Sequence, residues 1–141
     1  MYRVLLPVDT NEGRAIAQAS YVTDLPAASE AVEAIILFVF TDESADLPDE
    51  LQPFKSALRV GSVRRAKEIF DEHDVETTIL DESGDTVADI LQEADEFDVD
   101  AIVLGGRKRS PVGKAIFGSV TQSVILEADR PVVVTGGPEE R

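Results

Sequence analysis

Five short strand-like runs, each separated from the next by amphipathic stretches, constrain this 141-residue chain more than any other feature. They occupy residues 3–8, 34–40, 75–80, 101–104 and 131–135. The second, Ala34-Ile35-Ile36-Leu37-Phe38-Val39-Phe40, is apolar throughout, as a parallel strand buried on both faces must be. Between the runs, apolar residues recur at helical spacing. Ala15, Ala19 and Val22 share a face within 11–25, and Val63, Ala66 and Phe70 within 62–74. Val87, Ile90, Leu91, Ala94 and Phe97 follow a capping Ser83-Gly84-Asp85, and Val120 and Val124 lie within 118–128. Asp9-Thr10-Asn11 supplies N-cap chemistry for the first helix and Pro26 ends it. Residues 41–61 read as a long acidic connection containing Pro48 and Pro53, turning helical from about Phe54. Five strands alternating with four helices imply an α/β fold, an open five-stranded parallel sheet with helices on both faces. With no internal repeat and no linker, residues 1–141 are expected to form a single domain.

Charge narrows the function classes. Twenty-eight acids against thirteen bases give a formal charge of −15, and only Lys55, Lys67, Lys108 and Lys114 are lysines. Such a surface repels nucleic acid and anionic membranes, so neither is an expected partner. A strongly acidic, lysine-poor surface suits a very salty cytoplasm, where salt screens the self-repulsion; the expected source is a halophilic archaeon. The absence of cysteine excludes disulfides and thiolate chemistry. The N-terminal residues show no basic region and no long apolar core, and no run approaches the roughly 18 residues of a membrane span, so the expected location is cytoplasmic.

The acids are also distributed unevenly. Residues 101–126 contain no Asp or Glu, yet hold four of the thirteen bases: Arg107, Lys108, Arg109 and Lys114. Gly105 and Gly106 directly follow an apolar run, and Gly118-Ser119 opens a helix whose free N–H groups favour phosphate. An anion-binding loop fits this pattern better than a solvated basic loop. If the first and fourth strands are neighbours, Asp9 and Gly105 face each other across the crevice where an open α/β sheet binds ligands. A Walker-type P-loop does not fit, because Gly113-Lys114 is followed by Ala115 and the position five before Gly113 is Lys108.

Five segments resemble the universal stress protein family, over nearly the whole chain. They are Val4-Leu5-Leu6-Pro7-Val8-Asp9, Leu37-Phe38-Val39, Gly84-Asp85, Asp100-Ala101-Ile102-Val103-Leu104-Gly105, and Gly118-Ser119-Val120-Thr121 running on to Arg130-Pro131-Val132-Val133-Val134. The resemblance implies a Rossmann-like domain, and often a homodimer joined through the last strand, here Pro131-Val132-Val133-Val134-Thr135. ATP-binding members carry Gly, two residues, Gly, nine residues, then Gly-Ser or Gly-Thr. Gly105 and Gly118-Ser119 match with the spacing intact, but the middle glycine is Lys108, which either blocks phosphate or supplies a compensating charge. By this resemblance Pro7, Val8, Asp9 and Val39 belong to the adenine and ribose end of a nucleotide site. Gly105, Lys108, Gly118, Ser119 and Thr121 then belong to its phosphate end, with ATP, and Mg²⁺ alongside it, as the ligand. The histidine usual beside that valine is Phe38 here.

Catalysis has little support. His73, the single histidine, sits among Asp71, Glu72 and Asp74 and reads as a solvated, salt-bridging side chain. No GxSxG elbow or metal-ligand cluster appears, so weak ATP hydrolysis is the most that is expected. Three readings stand. The first is a nucleotide-binding stress or regulatory protein. The second is a family member without ATP that acts through dimerisation and protein partners. The third is an adenylyl-transfer type of enzyme, for which the chain shows no dedicated substrate site.

Overall fold

The computed structural model describes residues 1–40, 57–106 and 118–136. The chain runs β1 (Tyr2–Pro7), α1 (Glu12–Thr23), α2 (Ala28–Ala31), β2 (Val32–Phe40), a 3₁₀ turn (Ala57–Arg59), α3 (Gly61–Glu72), β3 (Glu76–Ser83), α4 (Thr86–Glu96), β4 (Ala101–Gly105), α5 (Ser119–Glu127) and β5 (Val132–Thr135). All strand pairs are parallel, in the order β3-β2-β1-β4-β5. The order reverses direction at β1, so β1 and β4 form the switch point.

Alternate residues of β1, β2 and β4 enter two separate cores, which is why these central strands are apolar at nearly every position. Val4, Leu6, Ala34, Ile36 and Val103 pack with Ala15, Ala19 and Val22 of α1 and Val63, Ala66 and Phe70 of α3. Leu5, Ile35, Leu37, Ile102 and Leu104 pack on the other face with Ile90 and Ala94 of α4 and Val124 of α5. Asn11 caps α1 by accepting a hydrogen bond from Arg14 N at 2.8 Å, and Asp85 caps α4 by accepting from Ala88 N at 3.0 Å.

Among the described residues the structure departs from the sequence expectations at several points, the start of β2 at Val32 among them. A fifth, one-turn helix follows Pro26: Ala27 adopts φ 56°, and its carbonyl accepts from Glu30 N and Ala31 N. β3 runs on to Ser83 because the β2 ladder continues to Phe40↔Ser83, although Asp81, Glu82 and Ser83 carry no apolar signal. On α4 the buried positions include Glu93, 6% exposed, whereas Leu91 is only half-buried. His73 is the C-cap of α3 with Nδ1 hydrogen-bonded to Ile69 O at 2.8 Å, and Lys67 is the residue that pairs with Asp71. The acidic connection from 41 to 56, most of the basic loop (107–117) and the last five residues lie outside the described residues. Among the described residues no helix is long and apolar enough to cross a membrane.

Candidate functional site

A cavity of about 320 Å³ opens beyond the carboxyl ends of β1, β2 and β4. Pro7, Val8 and Asp9 border it from β1, Leu37, Phe38 and Val39 from β2, and Leu104 and Gly105 from β4. Gly118, Ser119, Val120 and Thr121 close it from α5, Thr86 and Ile90 from α4. Eight of the nine residues singled out from sequence therefore line one cavity; the ninth, Lys108, lies outside the described residues.

The crevice exists because β1 and β4 pair only at Val4↔Ala101 and Leu5↔Ile102 and then diverge. Pro7 has no N–H with which to continue a ladder. Gln18 of α1 takes over: its Nε2 donates to Pro7 O at 2.8 Å and to Val103 O at 3.0 Å, bridging the two strands. Its side chain is buried, and these bonds satisfy carbonyls that the splayed strands leave open.

Asp9 sits where β1 ends. Its carboxylate accepts from Asn11 N at 2.8 Å and from Arg14 Nε at 2.9 Å, while its main-chain carbonyl accepts from the hydroxyl of buried Ser62. The loop after β1 is thus held by α1, with its N-cap, and by α3. Across the crevice, Gly105 has its Cα packed against α1: a Cβ there would lie 3.1 Å from Arg14 Cβ and 3.2 Å from Gln18 Oε1. Gly106 is constrained more tightly, since a Cβ would lie 2.4 Å from the Thr135 carbonyl to which Gly106 N donates.

On the opposite wall α5 starts at Gly118, which has no side chain to cap the first turn. The first N–H groups of a helix have no intrahelical partner, and they carry the positive end of its dipole. Phe38 is buried, with its ring edge-to-face on Phe40 at 4.9 Å, so it forms wall. Sequence reading missed Arg14, Gln18, Thr86 and Ile90. The polar Gln18 on an otherwise apolar face of α1 was the one available signal. No group of three or more metal-ligating side chains occurs among the described residues.

Fold and cavity together define a doubly wound α/β protein with an open crevice at its switch point. The chain belongs to the universal stress protein family, whose model matches residues 1–136. A curated universal stress protein of Mycolicibacterium smegmatis is 38% identical over 72 residues, covering 43% of this chain and 55% of that protein. The chain therefore spans about half the length of the curated relative it matches. The solved universal stress protein of Archaeoglobus fulgidus is similar at TM-score 0.69 and 28% identity, over 96% of this chain and 98% of that one. Two further structures share the fold: the A. fulgidus protein in complex with dAMP (TM-score 0.70, 24% identity, 96% and 98% covered) and a family protein of Arabidopsis thaliana with AMP bound (0.69, 16%, 98% and 93%).

Proposed function

We propose that this chain binds an adenine nucleotide, ATP accompanied by Mg²⁺, in the switch-point cavity and serves a stress-response or regulatory role in the cytoplasm. The observation that carries the reading is the uncapped start of α5 at Gly118 facing a cavity with Gly105 on its other side. Such a helix start offers N–H groups and dipole to phosphate. Leu37, Val39 and Ile90 supply an apolar surface for a flat base, and Pro7, Val8 and Asp9 border that end. Gly105, Gly118, Ser119 and Thr121 would receive the phosphates, and Mg²⁺ bound through them needs few protein ligands. The dAMP and AMP complexes of proteins with this fold support the ligand class.

Lys108 in place of the motif glycine favours a second reading, a family member that has lost ATP and works through dimerisation and protein partners. Calorimetry with ATP and Mg²⁺ in molar KCl separates the two. Ser119→Ala is expected to weaken binding about tenfold, the loss of one hydroxyl donor to a charged acceptor. Lys108→Gly should create binding if the lysine blocks phosphate, and should weaken it with a shallower salt dependence if the lysine clamps phosphate. Failure of both the parent and Lys108→Gly to bind ATP or AMP would overturn the nucleotide reading and leave the partner-binding one.

A further inference from the structure

Arg14 breaks a local rule. It stands in the first turn of α1, where the helix dipole disfavours a positive charge. Violations of this kind concentrate at functional sites. The position is also costly to hold, because its side chain is only 23% exposed and largely removed from water. Two contacts fix the side chain across the crevice. Its stem packs on Gly105, with Cβ and Cδ 3.1 and 3.3 Å from where a Cβ on Gly105 would lie, and Nε donates to Asp9 Oδ2 at 2.9 Å. This arrangement holds the guanidinium by Nε, Arg14 lines the cavity, and its Nη groups make no hydrogen bond among the described residues. It also neutralises Asp9, whose charge would otherwise repel an anion from the same cavity.

We propose that Arg14 is a specificity-determining residue of this site, donating from Nη to the anionic group of the ligand and setting the preference for nucleotide over nucleoside. The inference rests on the nucleotide reading above and assigns a residue that its glycine-serine motif does not contain. Arginine suits the task because its planar fork matches phosphate oxygens and stays charged at any working pH.

The test is calorimetry with AMP and with adenosine on the parent, Arg14→Met, Arg14→Gln and Arg14→Lys. Arg14→Met keeps the stem over Gly105, and Arg14→Gln also keeps a donor for Asp9, so one of them serves if the other fails to fold. The parent is expected to prefer AMP over adenosine by about tenfold or more, and the neutral variants to lose about tenfold on AMP while adenosine changes less than about twofold. Arg14→Lys should retain most of the preference. The double variant Asp9→Asn/Arg14→Met, read against Asp9→Asn alone, distinguishes contact from shielding: it should bind AMP about tenfold more weakly than Asp9→Asn. Equal weakening of AMP and adenosine would reduce Arg14 to a structural role and overturn the inference, as would equal AMP affinity in the double variant and Asp9→Asn. If the parent binds AMP and the neutral variants match it, the inference falls alone; if the parent binds neither ligand, the nucleotide reading falls first.

Discussion

The residues around the switch point differ in what their replacement would expose. Gln18→Leu removes the donor from two carbonyls, Pro7 O and Val103 O, in the interior between β1 and β4. A buried acceptor left unsatisfied costs about 1–3 kcal/mol. Thermal denaturation of the variant is therefore expected several degrees below the parent, with a larger drop than an apolar repacking of similar volume would cause. Two glycines offer a paired comparison. Gly106→Ala forces a methyl to 2.4 Å from backbone that cannot move alone, whereas a Cβ on Gly136 meets nothing within 4 Å. The first is expected to cost about 1–3 kcal/mol, the second to be near neutral by the same melting measurement. Sequence reading took Gly105 and Gly106 as a turn where backbone approaches a ligand; what the structure shows packed on them is protein, α1 on Gly105 and β5 on Gly106. The roles of Arg14 and Gln18 were not legible because Gly105 and Val103, which they touch, lie on β4.

Among the elements, α4 carries a charge inside its buried stripe. Glu93 is pushed above the ordinary carboxylate range by burial, by the charges of Glu82, Glu96 and Asp89, and by a hydrogen bond with Glu96. Asp89 adds a buried Oδ2 without a hydrogen-bond partner among the described residues. A raised folded-state value means that the native state holds the proton more tightly than the unfolded chain. Stability from this group is present below the ordinary glutamate value and is lost as pH rises through the raised one. Glu93→Gln is accordingly expected to melt higher than the parent at pH 7, with the difference closing as pH falls toward 4; an equal gap at both pH values would show that the charge is not the cause. The length of β3 belongs to this scale too. Periodicity ended the strand at Leu80, but pairing with β2 holds Asp81, Glu82 and Ser83 in the ladder, because a backbone can be kept extended by its neighbour whatever the side chains are.

For the molecule as a whole, charge and assembly make the remaining predictions. Fifteen net negative charges repel one another more strongly as salt is removed. The melting temperature is expected to fall steeply from molar to millimolar KCl, and a flat dependence would argue against a halophilic source. β5 ends the sheet order, and on the helix before it Ile125 and Leu126 are exposed. Edge strands with apolar neighbours invite pairing. A twofold dimer through residues 131–135 is expected by light scattering in molar salt, and a monomer at all concentrations would exclude it. The sequence alone determined the alternation of elements, the parallel sheet with both faces covered, and the placement of Gly105 and Gly118-Ser119 after strand and before helix, because periodicity and capping are local properties of the backbone. Only the tertiary structure decided that β1 and β4 are neighbours that splay past Ile102, that Gln18 bridges the gap, and that Arg14 crosses it to Asp9. Those facts depend on which elements come to lie side by side, and side chains far apart in sequence record that choice only by meeting.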